Sequence, residues 1–356
     1  MSTAPVTSSD PAQLTATTSA SAPDSTAAIP IATAALPPPA PWTLRPLVVA
    51  LPLLATGAAL ALHLGLPNRQ SPEPTTIYPR ALGEAIGLFL LLALTQWPWP
   101  WLAARYRPRA PLLAIAVLAV AAWDLITLKL ALLPLPYFPH PELILRSLIE
   151  DRAVLLESTY HSLVLLTSGY ATGVVIGLVS GVLIGWFPSV RYWAMPLLKV
   201  VGPIPATAWI PLALIVFPTS FQSSVALIAM AVWFPVTMLT SSGISAVRLS
   251  YLDVARTMGA GQAYLVFRVA IPSALPNIFL GLFMGLGASV LTLVVAEMLG
   301  VKAGLGWYVS WAQGWAEYGK VYAALVIIAA FFSTIMTLLF KVRDRLLVWQ
   351  KGVLQW

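Results

Sequence analysis

The sequence predicts an all-α, polytopic membrane protein built as a bundle of about eight transmembrane helices. Three observations carry that expectation. Of 356 residues, 59% are hydrophobic and 9% charged, whereas a soluble domain carries about 25% charged residues. The apolar residues gather into runs close to the ~20 needed to cross the hydrocarbon of a bilayer. Lys and Arg give the chain a net charge of +7, yet they lie mostly in short segments between those runs. Membrane topology explains that distribution more simply than nucleic acid does.

Taken in order, residues 1–43 are rich in Ala, Thr, Ser and Pro, with Asp10 and Asp24 as their only charges. They show neither helical nor strand period and read as a disordered tail. Met1 to Asp10 has no basic side chain to open a secretory signal. Apolar runs then place spans near 46–66, 81–102, 111–134, 162–185, 199–217, 223–245, 277–299 and 321–340. The fifth is the shortest and holds Pro203, Pro205 and Pro211. Proline offers no backbone donor, so a bent or partly unwound span shielded by protein is expected there. The organisation expected is a tail (1–43), two N-terminal spans (44–110), a core (111–345) with a long loop at 247–275, and a C-terminal tail (346–356).

Basic residues orient the bundle. With the N-terminus inside, inner segments hold 13 Lys and Arg, including Arg45, Arg105, Arg107, Arg109 and Lys351, against 6 in outer segments. The excess puts both termini in the cytoplasm. Trp97, Trp99 and Trp101 close the second span beside Arg105, while Trp307, Trp311 and Trp315 mark one face of a short helix at the outer interface.

Little in the chain suggests enzyme chemistry. With 0 Cys and 3 scattered His, thiolate sites and ligand clusters are not expected, and no Ser/His/Asp set, HExxH or paired carboxylates stand out. Gly314 to Val321 resembles a phosphate-binding loop, but Val321 stands where the Mg²⁺-binding hydroxyl belongs and no strand precedes it. In the fourth span Gly169, Gly173, Gly177, Gly181 and Gly185 recur every fourth residue, a stripe suited to close helix packing. Contact between two copies of the chain is one place for it, and Gly281 and Gly285 form a shorter match. Charges inside spans are costly. Asp124 is expected to meet a polar group between helices and Lys129 to snorkel outward. Glu297 and Glu84 read as rim residues, with a gate or substrate contact as the alternative for Glu297.

The most informative stretch is the inner loop from Leu249 to Pro272. It reads as a short amphipathic helix, a break at Gly259 and Gly261, a second short helix, and a stop at Pro272. Gly259 is expected to adopt a left-handed or strained backbone. The loop resembles the EAA motif of ATP-binding-cassette importer permeases. Asp253, Val254 and Ala255 fall on its first three positions, Gly259 on its glycine, Val269 on its isoleucine, and Ile271 and Pro272 on its final pair, without a gap. Ile204 to Leu212, Ala296-Glu297-Met298 and Gly304-Leu305-Gly306 are similar to the nitrate, sulfonate, taurine and bicarbonate branch of these permeases.

The resemblance implies a type I importer permease core in a bacterial inner membrane, acting as a homodimer among membrane lipids. It further implies cytoplasmic ATPase subunits docked on the loop and an extracytoplasmic binding protein that delivers a small anion. ATP and Mg²⁺ would be bound by the ATPase partners, with no cofactor in this chain. The core spans lack a mid-membrane Lys or Arg. Ser168, Ser180, Thr207, Thr237, Ser289, Thr292 and Glu297, with backbone amides of the broken span, are therefore the expected path. The competing readings are a secondary transporter complete in one chain, which would show an internal repeat and a midplane ionisable site, and a membrane scaffold.

Overall fold

The computed structural model describes residues 46–71, 74–96 and 98–348. The expected N-terminal tail, Arg45, Trp97 and Lys351 lie outside them. The described residues are helical throughout their ordered elements, with no strand among them. The elements are α1 (Pro46–Gly65), α2 (Ile77–Thr95), α3 (Pro100–Tyr106), α4 (Ala110–Asp124), α5 (Pro141–Glu150), α6 (Arg152–Trp186), α7 (Pro188–Val201), α8 (Ile210–Val216), α9 (Ser220–Ser245), α10 (Leu249–Thr257), α11 (Gln262–Tyr264), α12 (Ile271–Gly300), α13 (Leu305–Gly314) and α14 (Tyr318–Leu346). Seven helices among the described residues are long and apolar enough to cross a membrane. An eighth candidate is the pair α7 and Ala206–Val216, bent by 84° across the proline-rich break. This is a multi-pass membrane protein.

Two packing systems divide the bundle. At its centre α9 lies between α6 and α12. The five glycines of α6 all face α9: a Cβ added at Gly173 would sit 2.5 Å from Ala229 O, and one at Gly181 2.6 Å from Thr240 Cβ. Absence of those side chains lets the two backbones approach. Gly281 and Gly285 of α12 also meet α9, at Val236 and Val232, the residues that Gly177 and Gly173 of α6 touch. The stripe is therefore used within one chain, and its placement between two copies is corrected. All five α6 glycines are buried against α9.

The second system joins α1, α2, α4 and α5. Here buried polar groups meet helix ends. Asp124 Oδ2 lies 2.7 Å from His63 Nδ1, and His63 Nε2 lies 2.9 Å from Thr75 Oγ1. Lys129 donates to His63 O, to Leu66 O at 2.8 Å and to Asn68 Oδ1 at 2.7 Å. It thus covers the carbonyl end of α1, where a cation complements the helix dipole. Snorkelling to solvent is overturned, because Lys129 is only 4% exposed. The reason is a π turn at Leu125–Lys129. Its wider i→i+5 closure brings Lys129 round toward the side that Asp124 occupies. Across the next loop, Glu142 of α5 accepts from the backbone N–H groups of Thr76, Ile77 and Tyr78 at 2.7–3.1 Å. It caps α2 from another element. Burial alone would raise the Glu142 carboxyl. The three N–H donors, with Arg146 at 3.7 Å, outweigh it and hold the group below its ordinary range.

Several boundaries differ from expectation for physical reasons. The second span ends at Thr95, because Pro98 and Pro100 start a separate short helix, α3; Trp101 lies on it with Arg105 4.7 Å from its ring centroid. Helix α6 starts at Arg152, well before residue 162. Its 35 residues exceed what the hydrocarbon requires, so its polar first turns project beyond it. Pro272 does not stop a helix. It lies at the first turn of α12, after a π turn at Leu265–Ala270, so α11 to α12 run on as one apolar segment, Gln262–Gly300.

Candidate functional site

The loop between α9 and α12 projects from the bundle on two anchors, Leu252 (7% exposed) and Leu265 (1%). Helix α10 ends in a paired cap: Gly259 N–H donates to Arg256 O at 2.9 Å and Ala260 N–H to Ala255 O at 3.0 Å. This is a Schellman arrangement, which needs a left-handed residue at the position after the cap. Gly259 supplies it with φ +86°. Nothing lies within 4 Å of a Cβ built there, so the glycine answers to the backbone conformation and not to crowding. Tyr251, Val254, Met258, Tyr264 and Phe267 are all exposed around this turn. Asp253, also exposed, pairs with Arg256 at 3.1 Å. Ala255 lends its carbonyl to the cap, while Val269, Ile271 and Pro272 lie at the junction with α12 and are half-buried.

A second feature is a cavity of about 320 Å³ beside the break, lined by residues of the break (among them Gly202, Ile204 and Thr207), of the middle of α9 (among them Met230, Trp233 and Phe234) and of α12 (Met284, Ala288, Leu291, Thr292). Of the residues expected along a path, Thr207 and Thr292 line it. The others do not. Ser168 bonds Val164 O and Ser289 bonds Leu286 O within their own helices. Ser180 and Thr237 bond each other at 2.8 Å across the α6–α9 contact, where Trp233 Nε1 also donates to Ser180.

Glu297 is neither solvated nor in the cavity. It is 1% exposed and accepts from Ser162 Oγ at 2.7 Å and from Gly306 N–H at 2.8 Å, while Ser162 Oγ accepts from Leu305 N–H at 2.9 Å. The carboxylate and Ser162 therefore cap the start of α13, and Gly304 at φ +118° leaves room for it. The rim reading of Glu297 is overturned by this capping role; Glu84 is exposed as expected. The phosphate-loop look-alike is also accounted for, since Lys320 is held by Glu317 at 2.8 Å and Asp151 at 3.3 Å. Tyr308 donates to Asp151 at 2.6 Å beside it, and Trp307 and Trp311 stack with ring centroids 6.3 Å apart.

Sequence reading missed Trp233, Phe234, Met230 and Met284 as cavity residues. The available signal was Trp233-Phe234-Pro235, a proline in mid-span that leaves Ala231 O without its helical donor. Ser162 and His63 were missed because their partners, Glu297 and Asp124, are 135 and 61 residues away.

Known proteins resemble this chain over its C-terminal half. Residues 173–348 match the family described as binding-protein-dependent transport system inner membrane component. The taurine transport system permease protein of Escherichia coli is 30% identical over 168 residues, covering 45% of this chain and 60% of that protein. The formylaminopyrimidine transport permease protein of Halalkalibacterium halodurans is 28% identical, over 39% and 57%. The bicarbonate transport system permease protein of Synechococcus elongatus is 28% identical, over 33% and 42%. These matches span less than two thirds of the relatives' own lengths. A chain of the inward-facing MetNI methionine ABC transporter superposes with a TM-score of 0.47 at 16% identity, over 55% of this chain and 98% of that one. The similarity lies in the segment from mid-α6 through α14, which resembles the binding-protein-dependent transport system inner membrane components.

Proposed function

We propose that this chain is the permease subunit of an ATP-driven importer, taking a small solute from an extracytoplasmic binding protein. Cytoplasmic ATPase subunits bind ATP and Mg²⁺ and engage the α10–α11 turn, both termini lie in the cytoplasm, and two copies form the path. The observation that carries this reading is the projecting turn itself. It is held rigid by the Gly259 cap and presents Tyr251, Val254, Met258, Tyr264 and Phe267 to something outside the chain. An exposed apolar cluster of that kind marks an interaction surface. The small-anion expectation draws support from relatives named for taurine, bicarbonate and nitrate; another relative is named for formylaminopyrimidine.

The test is Gly259→Val. A β-branched residue is strained at φ +86°, so the turn re-aims while the spans keep their surfaces. The variant is expected to reach the membrane at normal levels and to lose ATPase co-purification or ATP-stimulated uptake by about tenfold or more, an interface loss of ~1.4 kcal/mol or above. Wild-type values for both at equal expression would mean that the turn is only a connector. Uptake that needs no ATP would favour a secondary transporter.

A further inference from the structure

The turn between α2 and α4 carries three arginines that the bundle leaves without a counter-charge. We infer that it is a binding site for the headgroup of an anionic phospholipid, in the leaflet on the side where both termini are placed. The turn lies outside the segment 173–348 that resembles known inner membrane components. Only the choice of leaflet draws on the importer reading.

The site stands on a fixed base. Tyr106 of α3 is 5% exposed and donates its hydroxyl to Val49 O of α1 at 3.3 Å, with Ala103 and Ala110 buried beside it. Pro98 and Pro100 stiffen the backbone on either side of Trp99. Arg107 Nε donates to Oε1 of the buried Gln96 at 3.2 Å, which leaves the terminal nitrogens of that guanidinium available. Arg105 lies 4.7 Å from the Trp101 ring centroid. Stacking uses the face of a guanidinium and leaves its N–H edge for an anion. Arg109 Nη1 reaches Arg105 O at 3.5 Å, which folds the third guanidinium back toward the second.

Nothing in the chain neutralises them. The sequence holds no Asp or Glu from 85 to 123, and among the described residues none of the three arginines pairs with a carboxylate. Elsewhere on the same side Arg256 meets Asp253 at 3.1 Å and Arg343 meets Asp344 at 2.8 Å. Three like charges within five residues repel one another, and guanidinium groups match phosphate oxygens in pairs. The apolar surroundings favour a lipid phosphate over a soluble one. Leu91, Leu94, Trp99, Trp101 and Leu112 are all exposed around the arginines, so acyl chains and headgroup would meet one continuous surface. Exposed tryptophans belong at headgroup depth, and a basic cluster beside a membrane span attracts anionic lipid.

The experiment is native mass spectrometry of the full chain in detergent, incubated with phosphatidylglycerol and phosphatidylcholine at equal concentration. The two lipids share a phosphodiester and acyl chains and differ in net charge. The wild-type chain is expected to retain phosphatidylglycerol about tenfold over phosphatidylcholine. Arg105→Gln with Arg109→Gln removes two exposed charges, leaves the buried base intact, and should lower that ratio at least fivefold. Lys341→Gln with Arg345→Gln takes the same charge from the end of α14 and should leave it within twofold. Sodium phosphate should displace no more lipid than sodium chloride of equal ionic strength. An unchanged ratio in the Arg105 and Arg109 variant overturns the inference. So does an equal loss in both double variants, which would make the effect one of general surface charge, and so does selective displacement by phosphate, which would make a free anion the ligand. No ATP or partner subunit enters this measurement, so its failure leaves the importer reading standing, and failure of the Gly259→Val test leaves the lipid site standing.

Discussion

The α6–α9–α12 stack and the α1–α2–α4–α5 group solve one problem in two ways. Helices surrounded by lipid gain little from apolar contact alone. The central stack answers with backbone approach: glycine on α6 and α12 meets β-branched residues on α9, and every fourth position repeats the contact. The N-terminal group answers with buried charge spent on helix ends. Lys129 covers the carbonyls of α1, Glu142 caps the amides of α2, and Asp124 holds His63. The first solution is intolerant of added volume. The second is sensitive to lost charge and to pH.

The largest effect expected is from Gly177→Leu with Gly181→Leu. Even the first carbon would lie 2.8 Å from Val236 Cβ and 2.6 Å from Thr240 Cβ. Two overpacked sites against backbone should cost about 3 kcal/mol or more, read as loss of the monodisperse peak in detergent chromatography. A double variant that folds normally and still transports would show that α6 and α9 are not in this contact.

Glu142→Ala sharpens the comparison from the other side. Three amides at the start of α2 would lose their acceptor. A cost of about 2 kcal/mol is expected. It should be visible as faster hydrogen exchange confined to α1, α2 and α5, with α6, α9 and α12 unchanged. Equal acceleration in the central stack would mean that the two packing systems are one cooperative unit.

Acid should separate them as well. His140 opens α5 and is 3% exposed, with no hydrogen-bond partner on either ring nitrogen. Burial pushes its imidazole below the ordinary 6.5, against the pull of Asp124 and Glu142, while Arg146 and His63 push with the burial. The unfolded chain then takes up the proton first. Stability of the N-terminal group should fall as pH drops below 6.5, by up to ~1.4 kcal/mol per pH unit until the folded value is reached. The Glu142 contribution, whose folded pKa is depressed, persists to lower pH and is lost only below 4.5. Thermal unfolding from pH 7.5 to 5 should show this slope in wild type and lose it in His140→Phe. An equal slope in both would assign it elsewhere.

The smallest effect is a control. Nothing lies within 4 Å of a Cβ at Gly57 of α1. Gly57→Ala should therefore shift stability by no more than about 1 kcal/mol, in the stabilising direction. Clear destabilisation would mean that small-residue packing operates in the N-terminal group too.

Span number and the broken fifth span were legible in the sequence because hydropathy and proline act locally. The same holds for Gly259, since a left-handed cap is a property of a few consecutive residues. Pro272 was misread for the complementary reason: a π turn upstream shifts the hydrogen-bond frame, and no residue in Leu265–Ala270 signals that shift. Among the residues expected along a path, a hydroxyl lining a cavity and one bonding its own helix look alike in one dimension. Thr292 does both, and Ser289 only the second.

The sequence alone determined that this chain lives in a membrane, where its helices run, and which loop leaves the bundle. Each of those follows from composition or from neighbours within a few residues. The tertiary structure decided which helix the glycine stripe packs against, what Glu297, Lys129 and Glu142 cap, and which residues line the cavity. Those answers depend on groups up to 143 residues apart. A buried charge takes its role from the helix end it meets, and that meeting exists only once the helices have packed.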